Sequence, residues 1–449
     1  MDFIPHTPDE FQSMLAALNL NDEKELFRTI PSNLHDPDIS FPSPLSEMEI
    51  TESMQTAAGE NRGSKLISFL GGGAYNHFSP QAVAALISRS EFATAYTPYQ
   101  PEVSQGTLQS IYEFQTLMCR LTGMDVANAS MYDAASALAE SALMACRITR
   151  KEKIVVSAGV NPHYRRVLKT YLDPQGIEWI EAPIRDGATD LDALKTGAVE
   201  TIVDDRCAAF FVQNPNYYGV LEPVDQFRGV LDPKTLLGTV VNPHSLGILK
   251  APGEWGADIV TGDLQPLGMP LQFGGPYAGF IACRQKHVRQ LPGRLAGRTT
   301  DADGKIGYVL TLQTREQHIR RAKATSNICT NQALCALAAA IYMFLMGPKG
   351  LRQAAEASVR NAHILQERLC SLKGVEAVFP KPFFHEFLLH LPMPLNSFIS
   401  AARDMGVLPG IPIAPAGGLE REALLVCATE KTRKQDIDFY VEMMSRILE

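Results

Sequence analysis

The sequence predicts an α/β chain: a mainly parallel sheet flanked by helices, then a smaller α+β domain, with an N-terminal arm in front. Three observations predict it. Short, continuous apolar runs recur through the centre, at 153–157, 208–213, 237–241, 258–261 and 278–283. Strands that read this way are buried on both faces, as in parallel sheets covered by helices. Helical patterns separate those runs. The 449 residues are 45% hydrophobic and 20% charged, an ordinary globular composition with enough apolar material for two or three domains.

Residues 1–60 are mixed polar, and the closely spaced prolines of 36–44 forbid a long helix there. An extended arm with one short helix near 8–18 is expected. The large α/β domain is placed at 61–330. In it, Leu108, Ile111, Phe114, Met118 and Leu121 recur every three or four residues before Gly123, an amphipathic helix with its stop signal. Ser130-Met-Tyr-Asp133 resembles a capping box opening an alanine-rich helix to about Arg150. The small domain is placed at 331–449. It holds helices at 332–346 and about 355–372, strands near 385–391 and 423–427, and a last helix at 434–448.

Lys plus Arg number 41 and Asp plus Glu 49, so the net charge is −8. Such a chain is a poor partner for nucleic acid or an anionic membrane. The longest apolar run, Ala333 to Met346, is shorter than the roughly 18–20 residues of a bilayer span and stops at Gly347-Pro348. The N-terminus shows no signal-peptide pattern. Eight scattered cysteines without a Cys-x-x-Cys pair read as reduced core thiols, so a cytoplasmic protein without a bound metal is expected.

Several motifs offer chemistry, each beside a plainer reading. Gly71-Gly-Gly-Ala-Tyr75-Asn76-His77 is either a plain turn or a close backbone approach to a ligand or another chain. Residues 95–101, with Tyr96, Thr97 and Tyr99 beside two prolines, are either a functional loop or a rigid connector. Residues 213–219 end a buried strand, where ligands bind in α/β sheets, and also spell an Asn-Pro turn. The basic stretch 315–327 reads first as a solvated helix face and second as an anion or interface site. His163 and His244 read as structural. No Ser-His-Asp set, carboxylate pair or metal-spaced cluster stands out.

Taken together, several stretches resemble the glycine-cleavage P-protein, glycine dehydrogenase (decarboxylating). They are Ile4-Pro-His-Thr-Pro8, Gly73-Ala-Tyr-Asn76, Thr94-Ala-Tyr-Thr-Pro-Tyr-Gln-Pro101, Gln105-Gly106 and Pro252-Gly-Glu-Trp-Gly-Ala-Asp258. Phe273-Gly-Gly-Pro276, Leu291-Pro-Gly-Arg294, Arg315-Glu-Gln-His-Ile-Arg-Arg321 and Ala324-Thr-Ser-Asn-Ile-Cys-Thr-Asn-Gln332 complete the set. The resemblance is to the N-terminal half of that protein, which some organisms encode as a separate alpha subunit. It implies fold type I of the pyridoxal-phosphate enzymes and an oxidoreductase complex of the glycine cleavage system. The implied partners are a beta subunit, glycine dehydrogenase subunit 2, and the lipoylated H-protein. The complex decarboxylates glycine and passes the aminomethyl group to the lipoyl group, as an alpha–beta pair often doubled into a tetramer.

Three departures from the catalytic half bear on mechanism. Gln265 stands where the resemblance places the Schiff-base lysine, and no lysine lies between Lys250 and Lys286. An amide cannot form that bond. Asn242 stands near the position of the aspartate that faces the pyridinium nitrogen, and a neutral amide holds that proton poorly. Asp133 puts a carboxylate in the turn where the phosphate would meet a helix N-terminus. The expectation is therefore a chain with no cofactor of its own. Pyridoxal phosphate would be held by the beta subunit, in a site partly walled by this chain. Tyr75, Asn76, Tyr96, Thr97, Thr325, Ser326 and Asn327 are the expected contributors. Thr325 to Asn327 would face the phosphate, with Arg320, Arg321 and Lys323 adding positive potential, and Tyr96 and Thr97 would line the glycine or lipoyl path. The alternatives are a non-catalytic scaffold that stabilises beta or docks the H-protein, and an independent enzyme using Lys250.

Overall fold

The computed structural model describes residues 5–35, 37–195, 202–272, 274–328, 330–415 and 419–449. Three motif residues, Ile4, Phe273 and Cys329, lie outside them. The chain forms two compact units, Met1–Ser64 and Lys65–Glu449.

The first unit holds the expected helix, Pro8–Ala17, capped by Thr7 and Glu10. It also holds a second helix, Glu47–Gly59, which the arm was not expected to contain. Its signal is a capping box: Ser46 accepts from the Glu49 amide and Glu49 answers on the Ser46 amide.

The second unit is built on a seven-stranded sheet. In spatial order its strands are Val126–Ala127, Gly279–Cys283, Ile259–Asp263, Leu236–Val241, Cys207–Asn214, Lys153–Ser157 and Glu178–Ala182. The last five pair in parallel, and Gly279–Cys283 runs antiparallel to both of its neighbours. Lys153–Ser157, Leu236–Val241, Ile259–Asp263 and Gly279–Cys283 are buried at every residue, which is why their centres read as near-continuous apolar runs. Glu178–Ala182 escaped the sequence reading because it is an edge strand with exposed Glu178 and Glu181. The helix Gln105–Thr122 ends at Gly123, whose φ of +68° is the left-handed cap a glycine adopts freely.

The alanine-rich helix runs Ala134–Thr149, but its cap differs from expectation. Asp133, not Ser130, is the N-cap, and Ser136 completes the box. The Ser130 hydroxyl instead accepts from Asn331 Nδ2 at 2.8 Å.

The expected helix pair lies within Ala333–Cys370, its two helices separated by a non-helical break at Gly347 (φ +58°, ψ 179°). By length and composition this stretch could cross a membrane. However, Ala336, Ala339, Tyr342 and Met343 pack into the core beside the sheet. A four-stranded sheet follows, in the order Glu376–Ala377, Glu386–His390, Ala423–Cys427, Ile411–Ile413. Ile67–Ser68 pairs with Val407–Leu408, and Phe69 is fully buried in the core of this C-terminal layer. The chain therefore enters the C-terminal layer just before the three-glycine turn and leaves it through that turn.

Candidate functional site

Ligands of open α/β sheets sit outside the carboxyl ends of the parallel strands. Here the strand Ile259–Asp263 delivers Gln265 to that end, 1% exposed. Its amide is fully engaged. Oε1 accepts from the Tyr75 amide at 2.8 Å, and Nε2 donates to Tyr75 O at 2.8 Å and Met269 O at 3.0 Å. A lysine has no acceptor and could not make the first of these bonds. The side chain pairs with the Tyr75 backbone as a neighbouring strand would, and so ties the three-glycine turn to the sheet.

Glu386 holds the other side of that turn. Its Oε1 accepts from the Gly72 amide at 2.6 Å and its Oε2 from the Tyr75 hydroxyl at 2.8 Å. The approach requires glycine: a Cβ on Gly71 would lie 2.2 Å from Glu386 Oε1, and Gly72 and Gly73 have φ of +75° and +121°. Burial raises the Glu386 carboxyl to about 7. Tyr75 is itself buried. Asn76 lies alongside, its carbonyl accepting from Thr429 Oγ1 and its Oδ1 from Lys431 Nζ, each at 2.8 Å.

The N-terminus of the alanine-rich helix is filled from within the chain. Asp133 Oδ1 accepts from the Ser136 amide at 2.7 Å, and Asp263 Oδ2 accepts from the Ala134 amide at 3.3 Å. The other oxygen of Asp263 takes the Gln265 amide at 2.9 Å. Two carboxylates thus occupy the positive end of the helix, where a phosphate dianion would be repelled. Burial, helped by Asp133, pushes the Asp263 carboxyl up to about 7. Asn242 Oδ1 accepts from the His244 amide at 3.0 Å. Lys250 is exposed, its ammonium 2.6 Å from Asp225 Oδ1. These residues do not fit a covalently held pyridoxal phosphate.

Three histidines that no spacing rule joins meet beside the Tyr75 ring. His77 and His244 stack with centroids 3.9 Å apart at 26°, and His385 lies 5.8 Å from His77. His77 Nδ1 is 2.7 Å from Glu430 Oε2, and His244 Nε2 is 3.3 Å from the Tyr342 hydroxyl. Burial would raise the Glu430 carboxyl, but the hydrogen bond and charge of His77 bring it down to about 2. Burial and His77 together hold His244 well below the usual histidine range. Donor atoms of His77, His244 and Glu430 lie within 4.8 Å of one another. Yet imidazole lone pairs lie in the ring plane, and nearly parallel rings stacked this closely do not converge on one ion.

The remaining candidates form a second group. Tyr96 is 84% exposed, Thr97 is half-buried, and Tyr99 O–H accepts from Arg294 Nη2 at 3.2 Å. The Thr325 amide donates to Arg315 O at 2.9 Å, Ser326 bonds the buried Glu140 carboxyl, and Asn327 is exposed. The basic stretch is not one solvated helix face. Arg320, Arg321 and Lys323 are exposed on short turns, whereas Arg315 is buried with its guanidinium on Gly293 O at 2.8 Å and Leu312 O at 3.1 Å. The fold therefore joins the 94–101 loop to the 315–331 segment, and keeps Tyr75 and Asn76 with Gln265 and the C-terminal layer. Residues 213–219 form a structural turn, with Asn216 Oδ1 accepting from the Tyr218 and Val220 amides.

A sequence profile of the glycine cleavage system P-protein matches residues 1–444. The chain belongs to this family. It is 49% identical, over the full length of both chains, to a probable glycine dehydrogenase (decarboxylating) subunit 1 of Moorella thermoacetica. Its fold matches a crystal structure of the glycine decarboxylase (P-protein) of the glycine cleavage system in inhibitor-bound form, with a TM-score of 0.88 and 43% identity over all of both chains. It also matches a Lactobacillus brevis glutamate decarboxylase, with a TM-score of 0.71 and 13% identity, over 93% of this chain and 96% of that one. The architecture is fold type I of the pyridoxal-phosphate enzymes, as the sequence led us to expect.

Proposed function

We propose that this chain is the non-cofactor subunit of a glycine dehydrogenase (decarboxylating). It works with a second subunit that holds pyridoxal phosphate and with the lipoylated H-protein. The observation that carries the proposal is the state of the sheet-end cleft. Gln265 is spent on Tyr75 and Met269, and Asp133 and Asp263 fill the helix end a phosphate would need. A subunit closed in this way serves the reaction through a site completed by its partner.

Pyridoxal phosphate supplies the electron sink that lets glycine lose carbon dioxide. This chain's contribution is a wall. Thr325, Ser326 and Asn327 offer hydroxyl and amide groups toward the partner's cofactor phosphate, and Arg320, Arg321 and Lys323 add positive potential around them. Tyr96 and Thr97 border the path of glycine and the lipoyl arm. Glycine is too small to orient itself, so a wall that narrows the site and excludes water contributes through positioning. Tyr75 and Asn76 act one step back, by holding the turn that closes this chain's own cleft. The exposure of Tyr96 (84%), Phe344 (60%) and Leu345 (49%) supports a partner covering this chain.

The test is glycine-dependent carbon dioxide exchange with lipoylated H-protein, on this chain alone, on the partner alone and on the mixture. Activity only in the mixture, lowered by Tyr96→Phe and Thr325→Ala, is expected. Unchanged exchange and cofactor affinity in both variants would remove the wall. Full activity of the partner alone would reduce this chain to a scaffold.

A further inference from the structure

The motif Leu291-Pro-Gly-Arg294 takes no part in the function described so far. Arg294 is 6% exposed and opens the strand Leu295–Thr300. Its guanidinium reaches three segments at once. Nη2 donates to the Tyr99 hydroxyl at 3.2 Å, Nη1 donates to Asn331 Oδ1 at 3.3 Å, and Nε lies 3.7 Å from Glu316 Oε2. The guanidinium carbon also sits 5.5 Å from the centre of the Tyr99 ring. Asn331 passes the connection on, donating to Ser130 Oγ at 2.8 Å and Ala129 O at 3.3 Å.

A buried arginine beside a second one, Arg315, invites an anion-site reading, and the space decides against it. The cavity lined by Arg294, Arg315, Glu316, Thr325, Ser326 and Asn331 measures only ≈ 10 Å³. That is about the minimum for a single water and far too small for a phosphate or carboxylate. The charge is spent on the protein's own loops. A guanidinium suits this task because its planar fork presents donors in several fixed directions, whereas an ammonium is a point charge on a flexible stem.

We propose that Arg294 is a positioning residue for the reaction. It sets the Tyr96–Tyr99 loop, Thr325–Ile328 and Asn331 in one arrangement toward the partner's site, acting through Tyr99 and Asn331. This inference rests on the reading that those two loops wall the partner's site.

The experiment uses the assembled two-subunit complex with Arg294→Lys, Tyr99→Phe and the double variant, beside Thr325→Ala and Tyr96→Phe. Tyr99→Phe removes only the hydroxyl that Arg294 holds, on a half-exposed side chain, so it keeps the test meaningful if Arg294→Lys folds poorly. The expected result is a loss of kcat of about tenfold in each single variant, the size of one charge-assisted hydrogen bond. The double variant should lose no more than Arg294→Lys alone rather than the product, since Tyr99→Phe breaks a linkage that Arg294→Lys already breaks. Subunit stoichiometry and the cofactor's visible spectrum should not change in Tyr99→Phe. Full kcat in Tyr99→Phe where Thr325→Ala is impaired, or losses that multiply in the double variant, would overturn the role of Arg294. Full activity in both Thr325→Ala and Tyr96→Phe would overturn the wall beneath it, and this inference with it.

Discussion

Replacing Gln265 with alanine tests whether this buried side chain is a structural staple. The substitution deletes the bonds from the Tyr75 amide and to Tyr75 O and Met269 O, all in a buried site. Tyr75 O keeps the His77 amide at 3.0 Å, but the Tyr75 N–H is left without its acceptor. Three lost hydrogen bonds at about 1 kcal/mol each, plus about 1–2 kcal/mol for a stranded buried donor, total about 4–5 kcal/mol. The expected readout is a fall of that size in urea-unfolding free energy of the isolated chain, with the same denaturant slope. Hydrogen exchange gives a local check. The Tyr75 amide should lose most of its protection, while the sheet amides of Val155 and Val260 lose only what the global change requires. A loss below about 1 kcal/mol, or an unchanged Tyr75 exchange rate, would refute the staple.

Two further outcomes follow from the same cleft. Gln265→Lys incubated with pyridoxal phosphate should show no Schiff-base absorbance beyond that of the wild-type chain, because Asp133 and Asp263 still occupy the helix end; a visible band that borohydride fixes to the lysine introduced at position 265 would show the cleft can still hold the group. Glu386→Gln should flatten the dependence of stability on pH. Burial raises this carboxyl from 4.5 to about 7, so it favours the folded state at low pH and loses that contribution as pH rises through 7. The wild-type chain should therefore lose stability between about pH 5 and about pH 8, with a share of up to about 3 kcal/mol missing from the variant. Equal slopes in urea titrations across that range would show that Glu386 titrates normally.

The two groups of site residues differ in how readable they were. Identity was local. Gln265, Asn242 and Asp133 stood out in the sequence through the resemblance to the P-protein's catalytic half, which led us to expect a lysine, an aspartate and a glycine-rich turn at those places. Their present use was not local. Gln265 meets Tyr75 across 190 residues of chain, and Glu386 meets Gly72 across 314. Nothing near His77, His244, His385 or Glu430 in sequence announces their cluster, and Arg294 gained meaning only when Tyr99, Glu316 and Asn331 were found around it.

The sequence by itself determined the central strands, because a strand buried on both faces reads as a near-continuous apolar run. It determined the helix Gln105–Thr122 and its end, because a 3.6-residue period and a glycine able to take φ +68° are written in consecutive residues. It also determined that this chain has no lysine to offer a cofactor near position 265. Tertiary structure alone decided what Gln265, Asp263 and Glu386 hold. Buried polar groups must find partners. Which partners are in reach depends on how the sheet-end loops and the C-terminal layer close on one another, and no local pattern records that closure.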